Sequence, residues 1–184
     1  RMIKAKTTDN PHLPPGFIDS LYQNYDANLI ASYINGEFTN LENTTVYHPF
    51  ELIISTPGGT AVDMFSIYDV MRQTEEECEI HTYGLGRVMS AGVVLLAAGT
   101  KGKRKIGKNC RVMIHSVIGG NHGSIHNLEN EMEEIRNSQD TYMEALVKET
   151  SLTKRTLKKL LERKVNVYLS ASEAVEYGIA DIII

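Results

Sequence analysis

Short apolar segments of strand type alternate with segments of helical periodicity from residue 51 onward. Residues 51–55 and 78–83 predict two strands, and residues 61–73 between them predict a helix with one apolar face. Strands that are joined through helices run parallel, because each connection has to cross back over the sheet. The sequence therefore predicts an α/β fold with a largely parallel sheet built from repeated βαβ units.

The later segments follow the same alternation. Residues 90–98 are almost wholly apolar, which indicates a helix that is buried on all sides. Residues 170–173 read SASE, a capping box that starts a helix, and Gly178 is expected to end that helix. The other predicted elements are strands around 106 and at 111–115, 165–169 and 179–184, a long helix at 125–150 and a basic helix at 153–163.

Residues 1–50 differ in composition from the rest of the chain. They are rich in Asn and Tyr, contain proline at positions 11, 14, 15 and 49, and show helical periodicity only over 17–38, in two pieces. We therefore divide the chain into an atypical N-terminal segment, residues 1–50, and one domain, residues 51–184.

Composition excludes several classes of protein. A chain of 184 residues that is 42% hydrophobic suits one domain with a substantial core. A net charge of -4 and a pI near 5.9 argue against a nucleic-acid surface. No stretch approaches the roughly 18 apolar residues of a membrane span, and no secretory signal is recognisable. Cys78 and Cys110 lack paired spacing and are expected to be buried thiols of a cytoplasmic protein.

A serine and a histidine occupy positions that suit nucleophilic catalysis. Ser90 follows a glycine-containing turn at 84–89 and opens the apolar helix, and His115 ends the strand 111–115. A serine hydroxyl becomes nucleophilic when a neighbouring base takes its proton, and a helix N-terminus offers N–H groups to a developing oxyanion. Ser90 and His115 are therefore the first catalytic candidates.

A Pro-Gly-Gly turn completes the candidate site. Residues 56–59 read TPGG and lie where a predicted strand ends and a helix begins, which is where ligands collect in α/β sheets. The N–H groups of Gly59 and Ala91 are expected to converge on one oxygen as an oxyanion hole. Taken singly, each feature has an ordinary explanation: a loop, a helix N-cap at Ser90, or a core histidine at His115.

Six segments of the chain occur in the order of one known family: TPGG at 56–59, SIYD at 66–69, MSAGVVLLAAG at 89–99, KGKR at 101–104, NCRVMIH at 109–115 and LSASEAVEYG at 169–178. They resemble the ClpP family, the proteolytic subunits of Clp proteases. The resemblance covers residues 51–184 and implies a ClpP/crotonase-like fold with a protruding handle helix at 125–150. It also implies Ser90 as nucleophile, His115 as base, Gly59 and Ala91 as oxyanion donors, and substrate contacts from Gly58, Gly119 and Gly120.

One position departs from the family pattern. The third catalytic residue of the family is an Asp, and Asn166 stands in its place. An Asn carbonyl can orient the imidazole of His115 but cannot stabilise an imidazolium by charge. Two alternatives follow, a weakened serine endopeptidase and a catalytically inactive ring subunit. A third alternative is an acyl-CoA enzyme of the related crotonase fold, but it would leave Ser90 and His115 without a shared catalytic role.

Two stretches of the N-terminal segment point to a different family: NPHLPPGFI at 10–18 and ASYINGEF at 31–38. They resemble the large terminase subunits of tailed bacteriophages, but neither a P-loop nor nuclease carboxylates accompany them. We infer no DNA-packaging activity from this resemblance. The segment is either part of a fusion or mosaic, or the start of a divergent ClpP whose helix at 26–34 replaces the usual first helix.

The ClpP resemblance also implies partners. It predicts stacked rings of this chain joined through the handle helix, polypeptide substrates, and a separate ATP-driven Clp unfoldase. No nucleic acid, membrane, cofactor or metal is expected. Residues 102–109 resemble a P-loop but lack its final Ser or Thr, and His122 and His126 lack a third metal ligand nearby.

Overall fold

The computed structural model describes residues 11–24, 30, 49–162 and 166–184. The chain divides into two compact units, residues 1–48 and residues 49–184. Within the first unit, helix α1 covers Phe17–Asn24 and agrees with the first piece of the predicted helix. The second piece, apart from Ile30, lies outside the described residues.

The second unit alternates strands and helices in the predicted order, with shifts at the element ends. Residues 163–165, which include the start of the predicted strand 165–169, lie outside the described residues. The elements are β1 (Phe50–Thr56), α2 (Ala61–Glu75), β2 (Ile80–Met89), α3 (Ala91–Ala97), β3 (Arg104–Ile106), β4 (Arg111–Ile114), α4 (Ile125–Glu149), α5 (Lys154–Leu161), β5 (Val167–Leu169), α6 (Ala171–Glu176) and β6 (Ile182–Ile183).

The six strands form one sheet in which β2 is the central strand. The order across the sheet is β5-β4-β2-β3-β6, and β1 also pairs with β2. The pairs β1·β2, β2·β3, β2·β4 and β3·β6 are parallel, and β4·β5 is the one antiparallel pair among the described strands. The prediction of an α/β fold with a largely parallel sheet is confirmed.

Helix α3 lies at the centre of the core. Its residues Val93, Val94, Leu96 and Ala97 are fully buried, as the apolar run predicts. The predicted capping box of α6 is also present: the Ser170 side chain accepts from the Glu173 N–H, and the Glu173 carboxylate accepts in return. Both predictions, the buried helix and the capping box, are confirmed, because each depends on a pattern that extends over only a few neighbouring residues.

Two expectations about the centre of the chain are wrong. The segment 84–89, predicted as a turn, continues strand β2 to Met89. Glycine is used inside this strand because the sheet packs closely on α3: a Cβ at Gly84 would lie 2.9 Å from Leu96 Cδ2. Cys78, expected to be a buried thiol in a strand, precedes β2 and is only partly buried, whereas Cys110 is buried as expected.

Buried Arg104 of β3 connects Asp181, directly before the last strand, to the C-terminal ends of α3 and α4. The Arg104 guanidinium donates to both carboxylate oxygens of Asp181, at 2.8 and 2.5 Å, and to the carbonyls of Ala97 and Glu149 at 3.1 and 2.8 Å. The backbone N–H groups of Gly102 and Arg104 also donate to Asp181. Burial alone would raise the pKa of Asp181, but its bonds to Arg104 hold that pKa below its usual value.

We expect Asp181→Asn to lower the free energy of unfolding by about 2–3 kcal/mol at pH 7, because the buried Arg104 loses its counter-charge. The folded-state pKa of Asp181 is lowered, so its contribution is complete above about pH 4 and is lost as the pH falls through that lowered pKa. Urea unfolding of both proteins between pH 7 and pH 2 measures this. The matched control, Asp69→Asn on the exposed face of α2, should stay within about 0.5 kcal/mol of the original protein. An undiminished difference at pH 2 would contradict the expectation.

Candidate active site

Three parallel strands bring the predicted catalytic residues to one edge of the sheet. Thr56 at the end of β1 pairs with Val88, and Met89 at the end of β2 pairs with Met113 of β4. Parallel strands end on the same side, so the residues that follow β1, β2 and β4 are neighbours. Ser90 follows β2 directly, His115 follows β4 directly, and the Pro-Gly-Gly turn follows β1.

Ser90 has an unusual backbone conformation. Its φ of 53° and ψ of −119° make it the one non-glycine residue with positive φ in the described part of the chain. Its N–H donates to the Met113 carbonyl at 2.8 Å, which fixes the turn to β4. A non-glycine residue in this region is strained by about 1–3 kcal/mol and is typical of functional turns. The Ser90 side chain makes no capping hydrogen bond to α3, so the N-cap explanation of this serine does not hold.

The Pro-Gly-Gly turn contacts Ser90 closely. Gly58 has a φ of +113°, and a Cβ at this position would lie 2.8 Å from Ser90 Cβ and 3.3 Å from Ser90 Oγ. Thr56 holds the turn, because its hydroxyl accepts from the Gly58 N–H at 3.1 Å and donates to the Gly58 carbonyl at 3.2 Å. The glycine is therefore required both by its backbone angle and by the space that Ser90 occupies.

A cavity of about 510 Å³ opens beside Ser90. Ser90, His115, Gly59 and Ala91 all contribute to its wall, so the structure brings four of the predicted site residues together. The helix and loop residues that complete the wall were not among the predicted site residues, although Met64 and Tyr142 stand in the predicted helices 61–73 and 125–150. The full lining is Pro57, Gly59, Thr60, Ala61, Met64, Ser90, Ala91, His115, Val117, Ile118 and Tyr142.

The orientation of the His115 imidazole is set by a backbone carbonyl. Its Nδ1 lies 2.5 Å from the Ser116 carbonyl oxygen. A carbonyl can only accept, so Nδ1 carries the proton and Nε2 has a free lone pair in the neutral ring. This is the tautomer in which a histidine can accept a proton at Nε2.

Asn166 lies near His115 along the sheet but does not hold it. Strand β5 pairs with β4 through Ile114 and Val167, so the next pair in register is His115 and Asn166. The Asn166 side chain is exposed, and no hydrogen bond joins it to His115 in the ranges that the structure describes. The structure thus places the residue at the expected position without the expected contact.

The two glycines after His115 do not reach the cavity wall. Gly119 packs against α4, where a Cβ would lie 2.5 Å from Ile135 Cδ1, and Gly120 has open space around it. Neither of them lines the cavity beside Ser90. Groups of three or more potential metal ligands are not found among the described residues. No helix in that part of the chain is long and apolar enough to cross a membrane.

Comparison with known proteins assigns the family. The family described as Clp protease matches residues 18–184. The chain belongs to the Clp protease family. The ClpP resemblance inferred from the motifs is confirmed, and the family match begins earlier, at residue 18 rather than at residue 51. The resemblance of residues 1–50 to terminase and the division of the chain at residue 50 stay predictions.

Two members of the family show the extent of the similarity. The ATP-dependent Clp protease proteolytic subunit 1 of Prochlorococcus marinus strain MIT 9312 is 36% identical over 133 residues, which cover 72% of this chain. The protein of the same name from Prochlorococcus marinus subsp. pastoris strain CCMP1986 is 35% identical over 133 residues. The aligned part spans 66% of the length of each of these two relatives.

We expect Gly58→Ala to lower the free energy of unfolding by about 2 kcal/mol or more, because the new methyl group meets Ser90 and the backbone angle is unfavourable for alanine. Gly59→Ala is the matched control, since it adds the same methyl group one residue later in open space. Urea unfolding of the two variants measures the difference. Equal stabilities would show that the contact between the turn and Ser90 does not restrict position 58.

Proposed function

We propose that this chain is a serine peptidase subunit of the Clp type, in which Ser90 attacks the peptide carbonyl. The observation that carries the proposal is the shared cavity wall of Ser90, His115, Gly59 and Ala91 at the ends of three parallel strands. The family and the names of the two relatives support the same chemistry.

The reaction needs two proton transfers through His115. Nε2 accepts the Ser90 hydroxyl proton while Oγ bonds to the carbonyl carbon, and the same proton then passes to the leaving amine nitrogen as the peptide bond breaks. Water hydrolyses the resulting ester by the same route. The N–H groups of Gly59 and Ala91 donate to the oxyanion. Ala91 is the first residue of α3, and the first N–H groups of a helix have no partner inside it, whereas Gly59 offers its N–H from the turn after β1.

The Ser116 carbonyl takes the orienting role in this proposal. It holds the Nδ1 proton of His115, as the carboxylate does in a Ser-His-Asp triad, but it carries no negative charge. In serine proteases, replacing the Asp by Asn lowers turnover by about 10⁴-fold, or about 5.5 kcal/mol of barrier, and this loss includes a histidine held in the wrong tautomer. The Ser116 carbonyl keeps the productive tautomer of His115, so this figure is an upper bound on the cost of the missing charge. We therefore propose that hydrolysis by this chain is slow compared with that of a complete triad.

The assembly is proposed from the family. Subunits of this chain are expected to form stacked rings around a chamber, where unfolded polypeptides are cut to short peptides, in the cytoplasm. Helix α4 supports a handle role, because Ile125, Leu128 and Met132 expose apolar side chains along it. The two relatives are named ATP-dependent, and we propose that a separate Clp unfoldase supplies this dependence.

The second candidate function is an inactive ring subunit with a structural or regulatory role. It is favoured by two observations: among the described residues no carboxylate lines the cavity beside Ser90 and His115, and the position opposite His115 is Asn166. An imidazolium formed during catalysis would then have no anionic partner in the cavity wall.

A fluorophosphonate probe separates the two candidates. We expect slow covalent labelling of Ser90, lost in Ser90→Ala and lowered at least about 100-fold in His115→Ala, because removal of the base costs orders of magnitude. Mass spectrometry of the labelled peptide identifies the site. The exposed histidine variant His122→Ala is the control and should label like the original protein. Labelling that persists in Ser90→Ala would refute the proposed nucleophile.

We expect Asn166→Asp to raise the rates of labelling and peptide hydrolysis at least about tenfold, with a ceiling of about 10⁴-fold, because it places a carboxylate opposite His115. Asn166→Ala should change the rates less than about threefold, since the Asn166 side chain makes no bond to His115 in this structure. A large loss in Asn166→Ala would show that Asn166 orients the base. If the original protein is never labelled but the Asn166→Asp variant is, the result favours the inactive subunit.

A further inference from the structure

Helix α4 contributes an unpaired donor to the wall of the cavity beside Ser90. Tyr142 lines this cavity, its side chain is only 4% exposed, and its hydroxyl has no hydrogen-bond partner. Burial raises the pKa of Tyr142 well above its usual range, so the phenol keeps its proton. Buried hydroxyl groups in folded proteins almost always have a partner, so an unpaired one beside a cavity points to a bound group.

A second donor lies one helical turn before Tyr142. The side-chain oxygen of Gln139 accepts from the Val117 N–H at 2.6 Å, and Val117 itself lines the cavity. This bond fixes the amide, because a backbone N–H can only donate and so must face the oxygen. The amide nitrogen, Nε2, is buried and has no partner. Residues three apart on a helix lie on the same face, so Gln139 shares the face of α4 that carries Tyr142. Gln139 does not itself line the cavity; it lies behind the lining, bonded to Val117.

The cavity offers these donors no charged neighbour. None of its lining side chains is Asp, Glu, Lys or Arg, and much of the wall is apolar, with Met64, Val117 and Ile118. A carboxylate placed there would be removed from water without a counter-charge, which is strongly unfavourable. The group that fits two neutral donors in an apolar pocket is a neutral acceptor, such as the carbonyl oxygen of a side-chain amide.

We propose that Tyr142 and Gln139 determine specificity, by binding the amide side chain of a glutamine that precedes the scissile bond. The inference rests on the proposed peptidase function. The side chain in question leaves the Cα that carries the attacked carbonyl, so it enters the cavity beside Ser90. A volume of about 510 Å³ is sufficient for it.

The two donor atoms are closed to water in this structure, so the entering side chain has to displace part of the wall. Met64 lines the same cavity and is suited to this, because its unbranched side chain changes rotamer easily. Ile118 is suited too, since it is 83% exposed on the loop that follows His115.

The test uses three peptides that differ only in the residue before the scissile bond, which is Gln, Met or Glu. Met matches Gln in length without an acceptor, and Glu matches it in shape with a charge. We expect kcat/KM to be highest for Gln and lowest for Glu. In Tyr142→Phe, the ratio of kcat/KM for Gln to that for Met should fall about threefold to tenfold, the usual effect of one neutral hydrogen bond.

Two further variants keep the test decisive. Gln139→Glu retains an oxygen for the Val117 N–H but removes the amide donor, so the ratio for Gln to Met should fall there as well. Tyr168→Phe makes the same chemical change on an exposed strand and should leave the ratio unchanged. Because its hydroxyl has no partner, Tyr142→Phe should not lower Tm; a clear fall in Tm would reveal a structural bond and overturn the inference.

The outcomes distinguish this inference from the proposed function. If the peptides are cleaved and the ratio is the same in Tyr142→Phe as in the original protein, the specificity inference is wrong and the peptidase proposal stands. If none of the three peptides is cleaved and a fluorophosphonate does not label Ser90, both are wrong.

Discussion

The parallel pairing of β2 with β1 and β4 is the constraint on which the candidate site depends. Ser90 and His115 are separated by 25 positions in the sequence, and the register of Met89 with Met113 makes them neighbours. The same pairing places the turn after β1 against Ser90. A shift of one residue in either pair would turn every side chain of that strand to the other face, so sheet register and chemistry are set together.

The helix that begins beside Ser90 is held at its other end by cations. Arg104 donates to the Ala97 carbonyl, and Arg72 donates to the Ala98 carbonyl. Helix C-termini favour positive charge, because their last carbonyls have no partner inside the helix. Glu149 accepts from Tyr68 at 2.6 Å and forms an ion pair with Arg72, so α4 is joined to the same group of side chains. Contacts at both ends of α3 therefore fix where this helix begins.

Local signals in the sequence predicted much of the fold and part of the site. The apolar run 90–98 and the SASE capping box act within a few residues, and both predictions are confirmed. The extension of β2 through residue 89 depends on packing against α3, which periodicity does not report. Tyr142 was not predicted as a site residue, because only the folded chain shows that its hydroxyl is buried without a partner. Likewise, the bond between His115 and the Ser116 carbonyl depends on a side-chain rotation that residue types do not encode.

The backbone conformation of Ser90 lowers the stability of the domain and, at the same position, presents the hydroxyl for chemistry. A φ of 53° is easy for glycine and costly for any residue with a Cβ, and more costly still for a β-branched one. Threonine, the other aliphatic alcohol, is therefore a poor replacement, and glycine would relax the turn while removing the hydroxyl. The alcohol at residue 90 is held in a conformation that folding alone would not select, so the domain gives up some of its own stability to present that oxygen.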